Sequence, residues 1–357
     1  VDLVVELPTL YACQSAEIFA HGGISLLNSL NCVNSICFGS EIGDIDILYL
    51  ISKILIDEPI DFKIKLKDYL DKGLPFPKAR ASALFYYITE NKLYDTSEED
   101  LLNMLNSPNN ILGIEYIKSI LKLNSKIKPY TINRINSGYN SLNVNDSICS
   151  ASAIRNALKN NSLNTINYTM PKDTYDIINR VIESGFNLVY NEDFYQILSS
   201  IIIRDKDNLT NYFEVNEGIE NKIYNSIFKC HNIETLQNEI KSKRYTMTKI
   251  SRTLNNIMLG IKGGDILKTK DLTNIPYVRV LAFNEKGCEI LKEIKKNSEI
   301  EVITKFSKIK YINSNIFNTL INYDIKATNM YNLIYYKDNF DMLKAPLDYI
   351  TSPKYIK

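Results

Sequence analysis

The 357-residue chain has no tryptophan, and histidine occurs only at His21 and His231. The six cysteines (Cys13, Cys32, Cys37, Cys149, Cys230 and Cys288) are scattered, with no Cys-x-x-Cys pair. A zinc site, a disulfide scaffold and a Ser–His–Asp or Cys–His catalytic group are therefore not expected. No stretch approaches the roughly 20 apolar residues of a bilayer span, and no charged, apolar, small-residue leader is legible at the start. The expectation is a soluble, cytoplasmic protein with neither membrane nor DNA as partner. An initiator Met is also lacking: the chain opens at Val1 and runs into Val-Asp-Leu-Val-Val-Glu-Leu-Pro, a buried-strand pattern already under way. This suggests a piece of a longer protein.

What is present is 45% hydrophobic and 23% charged, enough apolar material for two domains with their own cores. A formal net charge of +1 conceals strong segregation. Residues 1–61 carry nine acids against Lys53 alone, whereas residues 241–310 carry sixteen Lys and Arg against seven acids. A basic second segment predicts a polyanion partner there and separate work at the acidic end.

Along residues 1 to about 160, short apolar runs alternate with helical patterns: a strand at 3–7, a helix at 16–30, a strand at 35–38, then helices at 47–55, 62–70, 78–87, 98–105 and 111–123. The strand, helix, strand order predicts a parallel sheet. Beyond Pro171 the spacing is helical, as in Tyr175, Ile178, Val181 and Ile182. Helices are expected at 174–184, 192–203, 219–228, 233–242 and 246–260. Strands at 277–283 and 300–304 flank a helix at 287–294, a small α/β element at the basic end. The fold expected is thus α/β followed by a mostly helical region, divided into 1–165 and 166–357.

Five segments carry possible chemistry. Phe38-Gly39-Ser40-Glu41 follows a strand, where Gly39 permits close approach of a nucleotide. Ser107-Pro108-Asn109-Asn110 opens a helix: Ser107 suits an N-cap, Pro108 the first turn, and Asn109 a ligand drawn to the exposed N–H groups. Arg134, followed by Tyr139, lies in an expected loop, where a guanidinium suits phosphate. Ser150-Ala-Ser152-Ala-Ile-Arg155 places hydroxyls at a helix start with Arg155 one turn in, an anion site suited to a leaving pyrophosphate. Lys241, Lys243, Arg244, Lys249 and Arg252, with the Tyr245 ring available for stacking, suit RNA. Each has an ordinary alternative, a turn glycine, a plain cap or a solvated basic face.

Taken together and in order, Val1–Pro8, Ala16–Ala20 with Gly22, Phe38–Glu41, Pro108–Gly113 with Glu115-Tyr116, Lys128–Tyr130 and Ser150–Arg155 resemble the bacterial tRNA(Met) cytidine acetate ligases. The resemblance continues through Lys243–Thr246, Arg252, Leu259–Ile261, Arg279–Phe283 and Glu285–Gly287. It implies a Rossmann-like nucleotidyltransferase domain. It also implies activation of acetate by ATP, accompanied by Mg2+, to acetyl-adenylate, and acetyl transfer to N4 of the wobble cytidine of elongator tRNA(Met). Carried over by position, Gly39, Asn109 and Arg134 would contact ATP. Ser150, Ser152 and Arg155 would match a Ser-Ser-Thr-x-Ile-Arg motif at the phosphates, with Ala151 and Ser152 departing from it. The family's H-x-G-H motif would lie upstream of Val1, so the resemblance implies that the first strand is missing and that this chain alone is inactive and poorly soluble. The alternative from another class is a catalytically dead tRNA-binding or RNA-binding protein that keeps the basic half.

Overall fold

The computed structural model describes residues 1–134, 149–160, 163–309, 314–342 and 346–356. Two small sheets organise it. In one, β2 (Ser35–Ser40) pairs in parallel with β3 (Lys128–Asn133), in register from Ser35 opposite Lys128 to Ser40 opposite Asn133. In the other, β4 (Tyr277–Phe283) is flanked by β1 (Leu3–Glu6), antiparallel, and β5 (Glu301–Ile303), parallel, and the short β6 (Lys354–Tyr355) also joins β4.

This topology corrects one expectation. The strand at the chain start does not lie beside the strand at 35–40; it crosses to the far end of the sequence and pairs with β4. The helix between them, Ala16–Ser29, is apolar on more than one face. Leu26 packs with Tyr277, Val278 and Phe317, whereas Ile24 packs with Ile120 and Ile127. Polar groups tie the same helix to the distant segment: Ser25 Oγ donates to Leu272 O at 2.8 Å, and Ser29 Oγ accepts from Ile275 N at 2.8 Å. A Cβ on Gly22 would sit 2.3 Å from the Tyr11 ring, so the absent side chain is what lets Tyr11 reach Thr269 O with its hydroxyl. The first thirty residues thus pack across any boundary drawn near residue 165.

The parallel pair β2–β3 is backed by helices. Ile45–Asp57, Phe76–Glu90, Glu98–Asn106 and Pro108–Lys122 bury Ile47, Leu48, Ile51, Leu84, Leu101, Ile114 and Ile117 in one core. Asp44 starts the first of these by accepting from Asp46 N and Ile47 N, and Tyr94 Oη donates to its other oxygen at 2.7 Å. Pro108–Lys122 comes close to β2 because residue 113 is glycine: a Cβ there would lie 2.5 Å from the Phe38 ring. A third core, built mainly from helices, gathers Leu198, Ile202, Ile219, Ile223, Leu236, Ile250 and Ile257. The long helix Asn315–Tyr335, not among the expected elements, covers the β4 sheet through Phe317 and Leu320.

Candidate functional site

The carboxyl ends of β2 and β3 lie side by side because the strands are parallel, and both chains leave the sheet at the same edge. Gly39 sits opposite Ile132 in this pair, and the next residue after β3 is Arg134, whose N–H donates to Ser40 O at 3.0 Å. A Cβ on Gly39 would be 3.2 Å from Arg134 Cγ, so the arginine stem lies across the bare glycine backbone. Two residues named separately from sequence are thereby neighbours. Arg134 was expected in a loop; its segment 128–133 is strand instead, and the arginine follows that strand. Its side chain is exposed, with no ion-pair partner among the described residues. Tyr139 lies outside the described residues.

Asn109 joins the same edge through Glu41. The Glu41 carboxylate lies on the N-terminus of Pro108–Lys122. Its Oε1 accepts from Asn109 Nδ2 at 2.7 Å and Asn109 N at 3.2 Å, and its Oε2 accepts from Asn110 N at 2.8 Å. Asn110, itself buried, returns the contact: its Oδ1 accepts from Glu41 N at 2.9 Å and Ile42 N at 3.1 Å. Burial works against the Glu41 charge, but these hydrogen bonds outweigh it and hold the carboxyl below the ordinary glutamate range. The turn is closed by Ser40, whose Oγ accepts from Gly43 N at 2.9 Å and lies 2.7 Å from Thr131 Oγ1.

Two expectations change here. The first-turn N–H groups of Asn109 and Asn110 are already taken by Glu41. Ser107 does not cap this helix with its side chain, because its Oγ donates backward to Asn103 O at 2.8 Å. Glu41 could not be paired with residues 68 positions away from sequence spacing alone; the faint signal was an acid two residues past a strand glycine and two adjacent asparagines at a helix start.

Ser150, Ser152 and Arg155 form a second group on the helix Ala151–Lys159. Ser150 is its N-cap, the Oγ accepting from Ala153 N at 3.0 Å. Arg155 is exposed, with Nη2 3.4 Å from Ser152 Oγ. Ala153 and Ala157 are buried, and the helix packs on the 3-10 segment Leu163–Thr169, so the polar face is left outward.

The basic segment is only partly available. Lys241 and Lys243 are exposed without carboxylate partners among the described residues. Arg244 and Lys249 both approach Glu217, at 3.3 and 4.0 Å. Tyr245 is not a stacking platform: it is 6% exposed, packed among Ile250 and Leu254, and its hydroxyl donates to Glu217 O at 2.7 Å. The apolar neighbours at that position outweigh the attraction of a free ring. The helix starts inside the basic run, at Met247 with Thr246 accepting from Lys249 N, so Lys249 and Arg252 lie on it and Lys241, Lys243 and Arg244 precede it.

A family model described as HIGH Nucleotidyl Transferase matches residues 1–345. Over 339 residues the chain is 47% identical to a Clostridium acetobutylicum protein named tRNA(Met) cytidine acetate ligase, covering 94% of this chain and 80% of that protein. Over 354 residues it is 45% identical to the Clostridium perfringens protein of the same name, covering 99% and 83%. Among solved structures, Thermotoga maritima TmcAL bound with alpha-thio ATP superposes with a TM-score of 0.87 at 28% identity, covering 99% of this chain and 84% of that one. Its apo form superposes at 0.89 and 29%, covering 100% and 85%.

Proposed function

The chain belongs to the tRNA(Met) cytidine acetate ligase family of the HIGH nucleotidyl transferases, and from that membership we propose its chemistry residue by residue. The protein is an ATP-dependent ligase. Acetate attacks the α-phosphorus of ATP, pyrophosphate leaves, and acetyl-adenylate forms. The N4 amino group of the wobble cytidine of elongator tRNA(Met) then attacks the acetyl carbon. A C–N bond forms, the C–O bond to AMP breaks and N4 loses a proton.

The observation that carries the ATP site is the meeting of Gly39, Asn109 and Arg134 at the carboxyl edge of a parallel strand pair, where open α/β sheets receive ligands. Arg134, unpaired among the described residues, takes phosphate oxygens through its planar fork. Arg155 and Ser152 receive the departing pyrophosphate. Ser150 contributes by holding that helix start in place, since its hydroxyl already caps the helix. Adenylation builds negative charge on the phosphates, and fixed cations aimed at it lower the barrier. Mg2+ accompanying the nucleotide would neutralise charge on the phosphate oxygens, the usual role of this ion.

Residues 1–165 supply the ATP site and 166–357 the tRNA surface, a division of function and not of packing, since the first thirty residues join the core of the second part. Of the basic segment, Lys241 and Lys243 make phosphate contacts, Arg244 and Lys249 contribute from their shared approach to Glu217, and Arg252 holds its helix to Glu214. No helix among the described residues is long and apolar enough to cross a membrane, and we place the protein in the cytoplasm with its tRNA substrate. Relatives that carry the ligase name over nearly the whole chain favour this reading over an RNA-binding protein without catalysis. The test is incubation of this chain, and of a form extended upstream with an H-x-G-H segment, with labelled acetate, ATP and elongator tRNA(Met), followed by nucleoside digestion. N4-acetylcytidine appearing only with ATP in at least one form supports the proposal, and its absence from both with tRNA binding retained would turn the assignment to the binding protein.

A further inference from the structure

We propose that Glu41 is a positioning residue for nucleotide recognition: it locks the amide of Asn109 so that this residue reads a hydrogen-bond donor of the nucleoside and not the phosphates. The inference rests on the ATP reading above and goes further into the same site.

The amide of an asparagine has two faces of opposite character, an NH2 that donates and an oxygen that accepts. Left free, it rotates to suit either. Here the rotation is settled, because the atom facing Glu41 Oε1 at 2.7 Å must be the donor; an amide oxygen there would meet the carboxylate oxygen with no proton between them. The same Glu41 oxygen also accepts from Asn109 N, and Oε2 accepts from Asn110 N, so the carboxylate is anchored at three donors. Asn110 Oδ1 fixes the backbone of Glu41 in return. The clamp leaves Asn109 Oδ1 directed away from Glu41, and that oxygen has no hydrogen-bond partner among the described residues.

Electrostatics point the same way. A carboxylate in contact with the amide repels a phosphate that approaches Asn109, whereas Arg134, lying across Gly39, attracts one. Phosphates therefore belong on the Arg134 side and the nucleoside on the Asn109 side. A free Oδ1 accepts from a donor, and ATP offers two kinds near its nucleoside end, the 6-amino group of adenine and the ribose hydroxyls. Guanine presents an oxygen at the corresponding position, which Oδ1 would repel.

The test is equilibrium titration of this chain, and of Glu41→Ala and Glu41→Gln, with ATP, ITP and 2′-deoxy-ATP. ITP carries an oxygen in place of the amino group. The wild type is expected to bind ATP about tenfold or more tightly than one of the two analogues, the loss of one well-placed hydrogen bond at a polar site. Glu41→Ala should shrink that ratio towards one, because a freed amide turns to offer whichever face suits. Glu41→Gln, which keeps an acceptor for Asn109 Nδ2, should preserve most of it and guards against a variant that does not fold. Selectivity lost against ITP identifies the amino group, and selectivity lost against 2′-deoxy-ATP identifies the hydroxyl. A cycle with Asn109→Ala adds the decisive arm: Glu41→Ala should change nothing further in the Asn109→Ala background. Equal weakening of all three nucleotides, additive with Asn109→Ala, would reduce Glu41 to a helix cap and overturn the proposal. ATP binding that ignores both substitutions would also overturn it. No ATP binding by the wild type, either as this chain or extended upstream with an H-x-G-H segment, would refute the ATP reading itself, and the proposal with it.

Discussion

Arg252 donates from Nε and Nη2 to the two oxygens of Glu214, at 3.2 and 3.0 Å, with both side chains mostly buried. From sequence this arginine belonged to an RNA surface; in the fold it fastens the helix Met247–Leu259 to the turn at Glu214, whose φ of 64° is left-handed. A two-pronged charged contact of this kind stabilises more than a surface pair. Arg252→Ala is expected to cost about 1–2 kcal/mol in chemical denaturation. Lys243→Ala should leave stability unchanged while weakening tRNA binding and reducing the slope of log affinity against log salt by about 1. If the two variants behave alike in both assays, the distinction between them is wrong.

Gly113 lets a helix lie against β2. A methyl group there would meet the Phe38 ring at 2.5 Å, and Phe38 is also packed on Tyr116 with ring centroids 5.5 Å apart, so it has little room to yield. Gly113→Ala should lower stability by roughly 1–3 kcal/mol, the usual range for overpacking. Gly263→Ala, with open space around the added atom, provides the control and should be close to neutral.

Glu6 supplies a pH dependence. Burial pushes its carboxyl up to about 7; Arg279, with Nη1 2.8 Å away, opposes this, while Asp324 and Asp348 reinforce it. Arg279 is shared, since Nη2 also binds Asp348 Oδ1. The folded state therefore holds a proton on Glu6 that the unfolded chain releases near the ordinary glutamate value. Its stabilising contribution is complete below about pH 4.5 and is lost as pH rises through about 7, on the order of 3 kcal/mol in all. Glu6→Gln should flatten that loss between pH 5 and 8 in thermal unfolding. An unchanged profile would mean that the carboxyl is ionised throughout.

Gly39 gives a test of the nucleotide edge that does not disturb the core. A Cβ added there meets Arg134 Cγ at 3.2 Å, and that side chain is exposed and flexible, so Gly39→Ala should fold normally. It should nonetheless weaken ATP binding by about tenfold, because the arginine is displaced from the strand edge. Loss of fold together with binding would place Gly39 in the packing instead.

How much of this was legible in sequence depends on whether the deciding contact is local. Most helices were, because their apolar spacing is written within a few residues, although the caps Asp44 and Thr246 that start two of them went unread. The partner of β1 was not: pairing with β4 goes with Tyr11 bonded to Thr269, and Ser25 and Ser29 bonded to residues 272 and 275, contacts across some 250 positions. β3 escaped because its outward residues, Tyr130 and Ile132, are exposed and Pro129 obscured the strand pattern. In the site, Gly39, Asn109 and Arg134 were each nameable, but Glu41, which binds two asparagines from another element, was not. Tyr245 shows the converse error, since a ring between cations looks free until its own core is seen.

The central claim is that this sequence carries the ATP-activating half of an acetate ligase, and acetate-dependent ATP–pyrophosphate exchange tests it most directly. The assay is run on this chain and on a form extended upstream with an H-x-G-H segment, each also with Arg155→Ala. The account predicts exchange that requires acetate in at least one form and falls by about 100-fold or more when Arg155 is removed, with tRNA affinity nearly unchanged. Exchange indifferent to Arg155, or none in either form while tRNA still binds, would contradict it.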